Sequence, residues 1–133
     1  MAYLVDSDWT IDNLAEVPEA QRLFDSLLPE GAYISIVTYM EVFQGSLRRD
    51  DPAEGARLLR AFVVNVPVIP VTIAVAERCA RLRQHFLDQG QRPTRRGFDL
   101  LIAATAIEHD LTLVTRNVRD YADIPGLTLY QQA

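Results

Sequence analysis

The chain of 133 residues contains no lysine; all 13 of its basic residues are arginine. That absence excludes Schiff-base chemistry and the phosphate-gripping lysine of a P-loop, and the GxxxxGK[ST] pattern is missing as well. A single cysteine, Cys79, excludes an internal disulfide and a cysteine-based zinc cluster, so a reducing cytoplasm is the expected compartment. Two histidines are too few for a histidine-rich transition-metal centre. No apolar run approaches the roughly 20 residues of a membrane span, and no basic stretch precedes an apolar one at the N-terminus, so neither membrane nor leader is expected.

What is present is ordinary globular composition, 49% hydrophobic and 23% charged, in a length that suits one domain over residues 1–133. The net charge of −5 gives a poor overall footprint for nucleic acid. The pattern of elements is more informative. Tyr3-Leu4-Val5 is a short apolar run ending at Asp6 and predicts a buried strand. Helical patterning follows over Trp9 to Leu14 and again from Pro18 to Leu28, where Ala20, Leu23, Phe24 and Leu27 recur at one face. A second strand is predicted at 33–37, then helices at 38–47 and 52–64. Val66 to Val71, punctuated by Pro67 and Pro70, suits an edge strand. Thr72 is placed to cap a long amphipathic helix to about Gln89, with Ile73, Ala76, Ala80 and Leu87 toward the core. Gly90 to Gly97 is a basic loop, and Phe98 to His109 is helical. Strands are predicted over Leu111 to Thr115 and, beyond a turn at Pro125-Gly126, over Leu127 to Tyr130. Strands alternating with helices imply an α/β domain around a mainly parallel sheet.

Ligands of such sheets bind outside the carboxyl ends of the strands, and the acids fall there. Asp6 ends the first strand, with Asp8 and Asp12 beyond. Glu41 lies four residues past the second strand, and Asp120, with Asn117 before it, follows the strand ending at Thr115. Asp99 heads a helix face otherwise made of Ile102, Ala103 and Ala106. Carboxylates gathered in one cleft repel each other, and a hard divalent cation, Mg²⁺ or Mn²⁺, resolves the conflict. The chemistry that follows is metal-assisted attack of water on a phosphodiester. Each acid also has a plainer reading. Asp8 can be a turn or cap residue, Thr38-Tyr39-Met40-Glu41 has the form of a capping box, and Asp99 in a first turn suits the helix dipole.

The chain resembles PIN-domain ribonucleases, and in particular VapC-type toxins of bacterial toxin–antitoxin pairs. The resemblance rests on Tyr3-Leu4-Val5-Asp6-Ser7-Asp8, on Ile34 to Glu41 with Gly45 following, and most specifically on Asp99-Leu100-Leu101-Ile102-Ala103-Ala104-Thr105-Ala106 running into Leu113 to Tyr121. It implies a three-layer α/β/α fold with a central, mainly parallel sheet of four to five strands. It also implies that Asp6 and Asp99 are the principal Mg²⁺ ligands (Mn²⁺ possible), with Glu41 as the third acid. Either Asn117 or Asp120 supplies the fourth group, and Ser7 and Thr115 contribute hydroxyls. Arginines at 48–49, 92–96 and 116–119, Arg116 among them, offer guanidinium forks to RNA phosphates. The implied partners are an RNA such as a tRNA or rRNA, a VapB-like antitoxin and a second copy of the chain.

Two other readings remain open on the sequence. Asp6-Ser7-Asp8-Trp9-Thr10 satisfies the D-x-D-x-T opening of haloacid-dehalogenase phosphatases, with Asp6 as nucleophile and Asp8 as acid/base, although that fold wants a lysine. A non-catalytic PIN-like binding module is the second, suggested by Asn117 standing where an aspartate is common.

Overall fold

Alternation along three short strands divides the apolar side chains between two faces of one sheet. In β1 (Tyr3–Val5), Leu4 points to one face and Val5 to the other; in β2 (Ala32–Ser35), Tyr33 opposes Ala32 and Ile34; in β4 (Thr112–Val114), Leu113 opposes Val114. A computed structural model describes residues 1–131 of the chain. With β3 (Val68–Ile69) these strands form a wholly parallel sheet in the order β3-β2-β1-β4, with registers that pair Leu4 with both Tyr33 and Leu113. Buried on both faces, the strands read as nearly continuous apolar runs.

On one face lie α1 (Ser7–Leu14) and α2 (Pro18–Leu27), and on the other α5 (Ile73–Asp88) and α6 (Gly97–Glu108). The predicted face of α2 is buried throughout: Ala20, Leu23, Phe24 and Leu27 pack with Val5 and Trp9. In α6 the buried residues run almost all round the helix, because Ala103, Ala104 and Ala106 let it nest between β1 and α5. The remaining helices are α3 (Ile36–Ser46), α4 (Pro52–Phe62) and the single turn α7 (Val118–Tyr121). The result is the three-layer α/β/α arrangement with a four-stranded sheet. Among the described residues no helix is long and apolar enough to cross a membrane.

Several boundaries differ from the sequence expectation. Helix α1 begins at Ser7 because Asp6 is its cap, the carboxylate accepting from the Ser7 amide at 2.8 Å. Strand β2 stops at Ser35, whose hydroxyl accepts from the Thr38 amide at 3.0 Å. Thr38 is therefore not the cap, the capping-box reading of Glu41 fails, and Glu41 sits in the second turn of α3. Pro67 and Pro70 confine β3 to two residues, since neither has an N–H for the ladder. Thr72 caps α5 as expected, but the helix turns a different face inward. Val75, Cys79, Leu82 and Phe86, three to four residues apart, are buried, and Ile73, Ala76, Ala80 and Leu87 face outward. Within the 90–97 loop, Pro93–Arg96 forms a 3₁₀ turn leading into α6. The predicted strand at 127–130 contracts to one parallel bridge, Leu113 with Leu129.

Candidate functional site

The strand order sets the site. From β1 the chain steps one way to β2 and β3, then crosses to lay β4 on the opposite side of β1, so the switch point lies between β1 and β4. A crevice opens there, outside the strands' carboxyl ends. Asp6 and Thr115 are the first residues past β1 and β4. The Asp6 amide donates to the Val114 carbonyl at 2.9 Å, extending the ladder up to the carboxylate's own residue.

Asp6 is 6% exposed, and its carboxylate accepts only from neutral donors. One carboxylate oxygen accepts from the Ser7 amide; the other accepts from the Thr115 hydroxyl at 2.8 Å. Burial pushes its carboxyl up to about 6, against the pull of Thr115 and Ser7, and the charges of Asp8 and Asp99 push the same way. Asp99, half-buried at the first turn of α6, is likewise raised, chiefly by desolvation.

Tyr121 joins the two acids. Its hydroxyl lies 3.3 Å from Asp6 Oδ2 and 3.2 Å from Asp99 Oδ1. A phenol carries one proton, so at any moment it can donate to one carboxylate and not both. Burial, with two carboxylates beside it, raises the phenol's own pKa and keeps that proton in place. Asp6 and Asp99 thus both lie within hydrogen-bond reach of one hydroxyl, with less positive charge between them than two ionised carboxylates require.

Glu41 reaches the same region from α3. Its Oε1 accepts from the Ser7 hydroxyl at 2.6 Å, and the Ser35, Thr38 and Ser7 hydroxyls form a line, 3.3 Å at each step, ending on this carboxylate. Glu41 and Asp99 line one cavity of about 460 Å³ together with Arg95 and Phe98. Asp99 and Asp120 line an adjoining one of about 330 Å³ with Arg95, Arg96 and Arg119. Of the two candidates for the fourth group, Asp120 therefore shares a cavity with Asp99. Asn117 is exposed, precedes α7, and its amide donates to the Thr115 hydroxyl at 3.1 Å.

Two residues from the sequence expectation are engaged elsewhere. Asp8 spends both oxygens on backbone amides, those of Trp9 at 2.6 Å and Arg116 at 3.0 Å, which ties α1 to the β4–α7 loop. A carboxylate so occupied is a poor acid/base partner for Asp6, and the phosphatase reading loses its second residue. The Arg116 guanidinium pairs with Asp12 and lies over the Trp9 ring. Tyr121 was not singled out from the sequence; its signal was a tyrosine in the short stretch after β4, beside Asp120 and ahead of the apolar Ile124. Arg96, which grips Asp123 with two nitrogens and the Asp120 carbonyl at 2.7 Å, was visible only as one arginine among several.

Among the described residues no three acids close into a ready-made metal cage. The donor set still suits a hard cation. Mg²⁺ typically keeps several waters and is held by one or two carboxylates, and Asp6 and Asp99 are two such groups with unmet demand for positive charge.

Fold and site together define an α/β protein with an acidic, cation-seeking cleft at the switch point of a parallel sheet. The comparisons agree with that class. The sequence model of the PIN domain matches residues 3–127, and the chain belongs to the PIN domain family. Over 127 residues it is 28% identical to the tRNA(fMet)-specific endonuclease VapC of Shigella flexneri, covering 96% of this chain and 95% of that protein. It is 35% identical over 100 residues to ribonuclease VapC1 of Rickettsia felis, covering 72% of each. In three dimensions it superposes on a chain of VapBC2 from Rickettsia felis, solved bound to a DNA fragment from their promoter, with TM-score 0.85, 21% identity and full coverage of both chains.

Proposed function

We propose that the chain is a VapC-type toxin, a divalent-metal-dependent endoribonuclease acting in the cytoplasm on an RNA such as a tRNA or rRNA. The observation that carries this reading is the pairing of Asp6 and Asp99 across the single Tyr121 proton at the switch point. Near full-length likeness to a tRNA endonuclease supports the substrate class. Likeness to a protein solved as a VapBC complex supports a VapB-like antitoxin as partner; the further partner in this reading is a second copy of the chain.

Asp6 and Asp99 would hold the ion, with Glu41 acting directly or through water and Asp120 or Asn117 supplying the fourth group. A bound Mg²⁺ or Mn²⁺ would offset charge developing on the scissile phosphate and make an attacking water more nucleophilic. The chain's own groups set the stage. Thr115 and the Ser7 amide fix the Asp6 carboxylate, Tyr121 holds Asp99 at its distance, and the Ser7 hydroxyl aims Glu41.

The test is incubation of antitoxin-free protein with total cellular RNA in Mg²⁺, in Mn²⁺ and in EDTA, beside Asp99→Asn as a control for contaminating nucleases. Discrete fragments that require both the metal and Asp99 are expected. Cleavage at wild-type rate by a folded Asp99→Asn protein overturns the reading.

A further inference from the structure

The site's mouth contains an aromatic ring that nothing in the fold uses. The chain has five tyrosines, five phenylalanines and one tryptophan, and among the described residues Phe98 alone of these is exposed, at 54%. The other rings are buried or half-buried, and several pair with one another. Phe98 has no aromatic partner among the described residues. It sits next to Asp99 at the start of α6 and lines the cavity shared by Glu41 and Asp99. Gly97, beside it, adds no side chain, and a Cβ there would meet nothing within 4 Å.

The arginines around it fall into two kinds. Arg96 is held by Asp123 and lies over the buried Phe86 ring, 4.7 Å from its centroid; Arg116 is held by Asp12 and Trp9. Their guanidinium groups are spent on the fold. Arg95 is exposed, pairs with no carboxylate among the described residues, and lines both cavities that Asp99 borders. A free guanidinium beside a bare aromatic ring, both at the edge of an acidic cleft, matches one repeating unit of single-stranded nucleic acid: a phosphate for the cation and a base for the ring. The cation also lessens the repulsion that the acids would exert on an approaching phosphate.

We propose that Phe98 and Arg95 form a nucleotide subsite next to the scissile position, Phe98 stacking an unpaired base and Arg95 taking its phosphate. The proposal rests on the ribonuclease reading above and adds what the acids cannot supply. They recognise no base, whereas a stacking platform requires one that is unpaired and turned out of a helix, so the subsite selects single-stranded or loop RNA.

The experiment compares two fluorescein-labelled probes by anisotropy in Ca²⁺ buffer, with a gel confirming that they stay intact. One probe is the adenosine octamer rA8, and the other is a ribose-phosphate octamer of the same length without bases. For Phe98→Ala, rA8 affinity is expected to fall about 10-fold while the baseless octamer binds as before, and Phe98→Trp is expected to restore rA8 binding. For Arg95→Ala, both probes weaken and the slope of log affinity on log salt falls by about 0.7. Equal binding of rA8 by wild type and Phe98→Ala overturns the subsite and leaves the nuclease reading standing on metal-dependent cleavage of total RNA. A wild-type protein that binds neither octamer also overturns the subsite, while the nuclease reading is decided separately by metal-dependent cleavage of total RNA. A Phe98→Ala protein that sediments as a smaller species assigns the ring to the contact between copies and overturns the subsite.

Discussion

The Arg116 guanidinium lies over Trp9, its central carbon 3.8 Å from the indole centroid, while the same group pairs with Asp12. Both partners belong to α1, so the contact clamps the β4–α7 loop, and with it Thr115, against the helix that Asp6 caps. An arginine that sequence alone offers to an RNA phosphate is here a strut.

Arg116→Ala is expected to lower stability by about 1–2 kcal/mol, read by urea unfolding. Arg116→Lys should recover little of it, since an ammonium keeps the charge but loses the planar stack. Full recovery by lysine would show that charge alone matters here.

Asp6→Asn should abolish cleavage and, with the metal chelated at pH 7, stabilise the protein by about 2–3 kcal/mol. The asparagine oxygen can still cap α1. The sign follows from the raised carboxyl. A group at about 6 in the folded chain, against 3.8 as its ordinary value, contributes stability that is complete below 3.8 and lost as pH rises through 6. The stability difference between wild type and Asp6→Asn should therefore widen from pH 4 to pH 7, as measured by urea unfolding in EDTA. A constant difference would contradict the burial argument.

Ser7→Ala removes the 2.6 Å hydrogen bond to Glu41 without touching an acid. Oriented ligands lose metal affinity by 10- to 100-fold when such support is removed, so the Mg²⁺ concentration for half-maximal cleavage should rise about 10-fold. Unchanged metal dependence would mean that Glu41 needs no aiming.

Gly55→Ala tests the packing of α4 on α3. Alanine favours a helix interior by up to about 1 kcal/mol, yet the new methyl would stand 2.7 Å from Ser46 Cβ. The clash should win, with a net loss of about 1–3 kcal/mol in thermal unfolding.

The acids and the buried face of α2 were legible because their signals are local, whereas the face of α5 was not: Ile73, Ala76, Ala80 and Leu87 are exposed, and Val75, Cys79, Leu82 and Phe86 are buried instead. The face of α2 follows from spacing within ten residues, and Asp6 is marked by an apolar strand that stops abruptly. The cap of α3 was not. Ser35 and Thr38 are equally good caps by type, and the choice depends on where β2 ends. That point is set by pairing with Tyr3 and Leu4 on one side and with Ile69 on the other. Asp120 and Asn117 were equivalent in the chain, and only the turn of α7 carries Asp120 towards Asp99.

By itself the sequence determined the fold class, the acid that follows the first strand, and a basic complement made of arginine alone. Periodicity and residue type act over a few neighbours, and those features need no more than that. The tertiary structure alone decided that Tyr121 shares its proton between Asp6 and Asp99. It also decided that Arg96 and Arg116 are tied down while Arg95 is free, and that Phe98 is the ring left facing the cleft. Those assignments depend on separations of 22 to 115 residues closed by packing, where position in the chain carries no information about neighbourhood.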